Sequence, residues 1–378
     1  MKVVFVSNYF NHHQKPFCEE MWQRLGADFA FISTSVMREE RKKLGYTQDE
    51  FPCYVHLAYG DRQNQQKAIA LINDADVVIA GSAPNEFLKN RIKAGKIILR
   101  YSERPFKTQI SFLRKVYHAI RLRLNDFGNK SIYMLCASAY AAKDYASLGM
   151  YKNRAYKWGY FPEVKEYDID ILMTQKKRNT IMWCGRFLDW KHPDDAVKIA
   201  YRLKEAGYDF QLNFVGTGDM EEKLHELAEY YNLNDYVHFW GSMSPEQVRL
   251  HMEEAGIYLF TSDKREGWGA VLNEAMNSGC AVVASHVIGS VPFMVQDGTN
   301  GLIYPSGNTD ALYEKVRYLL DNREEQERLG RAAYQTVISE WNAKTAADRL
   351  MQFMAKLLIN EKYLDLFPKG PCSRAKIK

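Results

Sequence analysis

Short runs of β-branched and other apolar residues, several closing on a glycine, alternate with longer helical patterns along the whole of this 378-residue chain. That alternation is the mark of parallel sheets covered by helices, and it excludes all-helical and purely antiparallel folds. In the first half the strand runs are residues 3–6, 29–32, 76–80, 96–99 and 134–137, with helical patterns at 17–25 and 67–72. In the second half, 180–184 ends at Gly185, 211–215 at Gly216 and 237–240 at Gly241, and 257–260 and 281–284 follow. Helical patterns at 194–206, 220–231, 323–339 and 344–358 lie between and after them. Ser244-Pro245-Glu246-Gln247 reads as a helix start, with serine as cap and proline in the first turn.

A chain of this length exceeds one hydrophobic core and suits two domains. The polar stretch 165–179 reads as a linker. The expected division is a first domain over 1–164, a second over 165–345, and a crossover helix with a basic tail over 346–378. Residues 368–378 are expected to be disordered. In doubly wound sheets ligands bind beyond the carboxyl ends of the strands, so the segments just after each strand carry the functional signal.

No stretch approaches the roughly 18–20 apolar residues that a membrane-spanning helix needs. The start, Met1 to Ser7, runs directly into a strand pattern, so no signal peptide is expected. The six cysteines stand singly, which argues against a disulfide framework or a zinc site and for a reducing cytoplasm. The net charge of +5 hides an asymmetry: residues 1–165 carry 26 Lys and Arg against 15 Asp and Glu, whereas 166–378 carry 25 against 31. Residues 87–130 alone hold twelve basic residues and only Glu103 and Asp126 as acids. An anionic partner for the first half follows from that split.

Three clusters fall after second-half strands. Gly185-Arg186-Phe187-Leu188-Asp189-Trp190-Lys191 puts a guanidinium and an ammonium in one loop, a pairing suited to phosphate but equally to a solvated basic surface. Gly216-Thr217-Gly218-Asp219 lets backbone amides approach a ligand, yet lacks the third glycine of a dinucleotide fingerprint, and a tight turn explains it as well. Glu266-Gly267-Trp268-Gly269-Ala270-Val271-Leu272-Asn273-Glu274 brackets a helix entry with two carboxylates. Glycines there free the first amides of the helix to face a phosphate. Glu274 interrupts an otherwise apolar run and would need a partner if buried.

Taken in order, these motifs resemble glycosyltransferase family 4 of the GT-B superfamily over residues 178–345. The segment 156–161 is placed like that family's interdomain hinge strand. The resemblance implies an α/β fold of two Rossmann-like doubly wound domains facing a central cleft. It also implies metal-free, cofactor-free, retaining transfer of a hexose-type sugar from a nucleoside diphosphate, a UDP-sugar favoured over a GDP-sugar. Carried over by position, Arg186 and Lys191 match the diphosphate-binding pair, Glu266 the carboxylate on donor-sugar hydroxyls, and Glu274 the ribose ligand. The remaining donor positions are Gly216, Trp240, Gly241, Ser242, Gly267, Trp268, Gly269, Ala270 and Val271, with the Trp240–Ser242 loop reading the base. Two departures stand out: Ser7 to Gln14 has no glycine, and Phe293 replaces the acid often found after a proline like Pro292.

In the first half His12 and His13 follow the first strand as candidates to contact the donor sugar or the acceptor hydroxyl, or as plain polar surface. Glu103 and Arg104 are acceptor-site candidates, with Glu103 alternatively an ion-pair partner of Arg104 or Lys107. Apolar residues at 110, 113, 116, 117, 120 and 124 make a stripe from which Arg114, Lys115, Arg121 and Arg123 stand off. A helix packed on the sheet explains it. So does one lying on an anionic membrane, and the aromatics of 87–130, Phe127 among them, favour the latter. No motif that reads nucleic acid is present.

The expected function is extension of a surface polysaccharide or glycolipid precursor on a saccharide or lipid-linked acceptor, in the cytoplasm at the inner membrane face. The alternative is a non-catalytic protein that keeps the fold to dock a membrane or partner, which the complete Arg186, Lys191, Glu266 and Glu274 set opposes. An epimerase or phosphorylase on a similar frame is a third reading, with no lysine singled out for pyridoxal phosphate.

Overall fold

The computed structural model describes residues 1–37, 50–108, 111–126, 129–361 and 364–376. The chain divides into two compact units, one formed by Met1–Glu163 with Asn342–Lys378 and one by Val164–Trp341.

The first unit is built on a seven-stranded sheet in the order β3-β2-β1-β4-β5-β6-β7. The strands are β1 (Val3–Ser7), β2 (Phe29–Ser33), β3 (Val55–Leu57), β4 (Val77–Ala80), β5 (Ile98–Ser102), β6 (Ile132–Cys136) and β7 (Ala155–Lys157). Every pairing is parallel. β1, β2 and β4 are buried along their whole length, as strands covered on both faces must be. The C-terminal helix Ala343–Leu358 joins this unit by packing on the helix Lys15–Leu25, where Arg24 pairs with Asp348 at 2.7 Å.

The second unit repeats the plan with six parallel strands in the order β10-β9-β8-β11-β12-β13. These are β8 (Lys177–Cys184), β9 (Gln211–Val215), β10 (Val237–Phe239), β11 (Ala255–Phe260), β12 (Ala281–Ser285) and β13 (Leu302–Tyr304). Both sheets carry the 3-2-1-4-5-6 order of a Rossmann fold within their own unit. The helix Pro245–Glu254 opens as its sequence demands: Ser244 accepts the Gln247 amide and Gln247 reaches back, closing a capping box with proline in the first turn.

Three expectations are corrected. The stretch 165–179 is not a bare linker: it holds the helix Ile169–Gln175, and β8 starts at Lys177. Lys176 between them sends its ammonium inward to the carbonyls of Met252, Ala255 and Ser278, which is why a polar run folds. The basic tail is ordered over its described part, because Cys372 and Ala375 donate backbone bonds to Lys157 and Ala155, and Lys157 donates to Ser373, so the tail pairs with β7. The hinge-like segment 156–161 is a strand only to Lys157, beyond which Trp158 and Phe161 are buried in the first unit. Of the two readings of the 113–124 stripe, packing on the sheet is not the one seen. Phe112, Leu113, Val116, Tyr117, Ile120 and Leu124 are exposed, while Ala119 and Leu122 face the core of that unit. Ile110 and Phe127 lie outside the described residues.

Candidate active site

In the second unit β8 lies between β9 and β11, and the chain leaves it in one direction through β9 and β10 before returning to β11 on the other side. Loops leaving the carboxyl ends of β8 and β11 therefore diverge and open a crevice at the switch point. Both loops carry the charged motifs.

The loop after β8 turns at Gly185 and closes through the 3-10 turn Asp189–Lys191 into His192, whose φ of 49° is left-handed. Phe187 is fully buried, and its backbone bonds Thr217 and Met220, so its neighbour Arg186 projects outward. Arg186 is exposed and its guanidinium has neither ion pair nor hydrogen bond among the described residues.

Lys191 is held differently. Its carbonyl accepts the Thr261 hydroxyl at 2.6 Å, and Thr261 in turn accepts the Trp183 indole N–H at 2.8 Å. The Asp263 amide bonds the Trp190 carbonyl, so the two loops are stitched together at backbone level. Across this seam the Lys191 ammonium meets the Glu266 carboxylate at 2.5 Å, and Ser262 donates to the same oxygen at 3.2 Å. Both charged side chains are largely withdrawn from water, which makes their attraction stronger than that of a surface pair.

Glu274 sits in the helix Val271–Asn277 that follows the β11 loop. Its carboxylate accepts no hydrogen bond among the described residues, and burial raises its pKa, opposed only by the neighbouring Arg249. The Cys184 thiol at the end of β8 is pushed up to about 12 by burial and the Glu274 charge, with Lys191 opposing. One thiol therefore feels both side chains, which brings Lys191, Glu266 and Glu274 to the same end of the sheet. Gly269, at φ 80°, brings the chain so close to Phe260 that a Cβ would lie 2.3 Å from its ring, and this turn leads into the helix whose first amides have no intrahelical acceptor. Gly267 and Ala270 flank that turn as buried backbone, and Val271 begins the helix.

Three strand-ending glycines lock together beside these groups. Gly185 donates to Val215, Gly216 donates to the Gly241 carbonyl at 2.7 Å, and a Cβ on Gly216 would lie 2.0 Å from the Gly185 oxygen. Trp240 is half exposed, its indole N–H on Asn213 and its ring 5.1 Å from that of His251, and Ser242 beyond it is exposed.

Trp268 requires correction as a donor contact. Its side chain is fully buried, donates to Asn273 at 3.0 Å, and packs against Trp341 and Phe293. Phe293, one of the two departures from the family pattern, stacks on Trp341, so an apolar contact occupies that position. The residues not anticipated are Trp183, Thr261, Ser262 and Asp263, which hold the loops in register. A Thr-Ser-Asp run directly after a buried strand was the available signal.

In the first unit the His12 and His13 rings lie 3.8 Å apart, and His13 stacks on Tyr160 at 6.0 Å. Burial lowers the His12 pKa and favours the neutral ring. Glu103 is engaged by the Tyr160 hydroxyl at 2.7 Å and by Lys107 at 2.6 Å, while Arg104 turns away to Asp144 and the face of Tyr140. Of the two ion pairs open to Glu103, the one with Lys107 forms and the one with Arg104 does not, because Asp144 captures the guanidinium. Among the described residues no three His, Cys, Asp or Glu side chains gather as a metal site, and no helix is long and apolar enough to cross a membrane.

Two Rossmann-ordered units with a charged crevice at one switch point define an α/β protein of GT-B type. The likeness extends to the solved structure of Anabaena HepE in complex with UDP, at TM-score 0.70 and 14% identity, covering 94% of this chain and all of that one. Residues 164–336 match the model of the family described as glycosyl transferases group 1, so the second unit is a glycosyltransferase domain of that family. Among curated relatives the chain is 23% identical over 280 residues to an uncharacterized glycosyltransferase of Methanocaldococcus jannaschii, MJ1069, covering 72% of this chain and 71% of that protein. It is 27% identical to the putative colanic acid biosynthesis glycosyltransferase WcaL of Salmonella typhimurium over 40% of this chain and 37% of that protein.

Proposed function

We propose that the protein is a retaining, family 4 type glycosyltransferase that takes a hexose-type sugar from a UDP-sugar and delivers it to a saccharide or lipid-linked acceptor of polysaccharide synthesis. The observation that carries this reading is the grouping of a free guanidinium, an ion-paired ammonium and an unpartnered carboxylate at one switch point. Arg186 and Lys191 supply positive charge where the sugar–phosphate bond breaks and negative charge grows on the departing diphosphate, the role a metal fills elsewhere. Because Glu266, itself accepting the Ser262 hydroxyl, holds Lys191 before any donor arrives, little reorganisation is needed. Glu266 then meets donor-sugar hydroxyls, and Glu274, lacking a protein donor, takes hydrogen bonds from the ribose diol. The first amides after Gly269 face the diphosphate, and the loop 240–242 reads the base.

UDP in HepE supports uracil over guanine, and the WcaL likeness supports polysaccharide synthesis. His12, kept neutral, serves the sugar or the acceptor hydroxyl from the first unit. The basic segment 87–130 supports work at an anionic membrane face, and the free cysteines support a reducing compartment. Thermal shift with UDP, GDP, ADP and TDP tests the donor reading. Stabilisation by UDP, lost in Arg186→Ala and Glu274→Ala, is expected; indifference to all four nucleotides would overturn it. The anomeric configuration of the first-formed product, read by NMR, tests retention.

A further inference from the structure

The helix Phe112–Asp126 is anchored by one narrow face. Ala119 and Leu122 pack on the first unit's core, and Asp126 at its end is buried between Arg100, at 2.8 Å, and the Tyr151 hydroxyl, at 2.7 Å. His118 and Asn125 are half-buried beside these, and the remaining side chains face outward. Leu113 is 80% exposed, Phe112 78% and Leu124 64%, with Val116, Tyr117 and Ile120 also open to solvent. At 3.6 residues per turn these six side chains occupy one arc of about 140°, whose Phe112 edge adjoins the anchoring face. Arg123 falls at one edge of that arc, Arg121 and Arg114 just past the other, and Lys115 in the first turn. All four are exposed, and residues 111–125 contain no acid.

An apolar stripe of this size is costly to leave in water and marks an interaction surface. The flanking charges identify its occupant. Nucleic acid would match the cations but leave the apolar arc uncovered. A bilayer with acidic headgroups covers both, the stripe entering the acyl boundary while the long basic side chains reach the phosphates. We propose that this helix is the membrane-docking element of the protein, lying flat on anionic phospholipid with Leu113, Ile120 and Leu124 inserted and Arg114, Lys115, Arg121 and Arg123 on headgroups. The inference deepens the membrane placement proposed above but does not depend on the donor chemistry.

Co-sedimentation of the full chain with vesicles of phosphatidylcholine alone, or mixed with phosphatidylglycerol, tests it. Partition onto the anionic vesicles that falls as salt rises is expected. The variant R114Q/K115Q/R121Q/R123Q should lower that partition by about three orders of magnitude. L113S/I120S/L124S should lower it comparably, with circular dichroism unchanged because these side chains bear no core contact. Equal pelleting of the charge variant and the parent, or binding indifferent to lipid charge, would overturn the proposal. So would a vesicle-free dimer that the serine variant converts to monomer, which would assign the face to a second copy of the chain. The response of both variants to UDP reports on the donor site separately, so failure of either reading is seen on its own.

Discussion

Lys191 and Glu266, 75 residues apart in sequence, meet as an ion pair of 2.5 Å between Nζ and Oε2, each contributed by the loop that leaves a different strand at the sheet's switch point. The pair ties together the two loops that border the crevice. Arg186, in the same loop, is exposed and has no ion pair among the described residues.

Loss of that ammonium should be felt in turnover more than in folding. Lys191→Ala is expected to lower kcat for donor hydrolysis by about 10²–10³, the range for removing one preorganised donor at a developing anion. Steady-state release of UDP from UDP-sugars measures it. Turnover equal to the parent's would remove Lys191 from the chemistry.

Glu274 predicts an opposite pull between stability and binding. Burial raises its pKa above the ordinary 4.5, so the native state holds the proton more tightly than the unfolded chain does. The resulting penalty is absent below pH 4.5, appears as pH rises through the window up to the raised value, and is full above it. Glu274→Gln should therefore raise Tm at pH 7 by about 2–4 °C, with the gain narrowing toward pH 4.5. Melting curves across that range check the trend, and the same variant should lose nucleotide affinity.

Gly216→Ala tests the backbone contact that closes the loops. At φ 134° the new Cβ would meet the Gly185 carbonyl at 2.0 Å, so the backbone must move. Overpacking and a strained φ together cost about 2–5 kcal/mol. Chemical denaturation would read this as a lowered midpoint; a change under 1 kcal/mol would contradict the packing.

Trp268→Phe separates packing from recognition. The indole is buried beside Trp341 and hydrogen-bonds Asn273, so its replacement should destabilise by about 1–3 kcal/mol while nucleotide Kd stays within twofold. Calorimetric titration of the folded variant measures the affinity. A large rise in Kd with unaltered stability would return Trp268 to the ligand.

Much of the frame is legible in the sequence. Buried parallel strands read as continuous apolar runs, and the Ser244–Gln247 cap is local chemistry between neighbours in sequence. Gly216 and Gly241 marked strand ends, although nothing local shows that one donates to the other. Lys176 misled because a lysine in a polar run resembles a linker, whereas its three carbonyl acceptors come from elsewhere in the fold. Trp268 misled for the converse reason, since an aromatic between two glycines looks presented for binding until its core neighbours are known.

The amino-acid order by itself determined the α/β class, the two-part plan and the charged motifs after the strands, because periodicity, capping and glycine placement act over a few residues. Which carboxylate pairs with Lys191, which stays without a donor, where Arg104 turns and which face of the helix Phe112–Asp126 looks outward were decided only by the tertiary structure. Those outcomes depend on groups tens to hundreds of residues apart competing for one partner or one patch of core, and no local pattern records the winner.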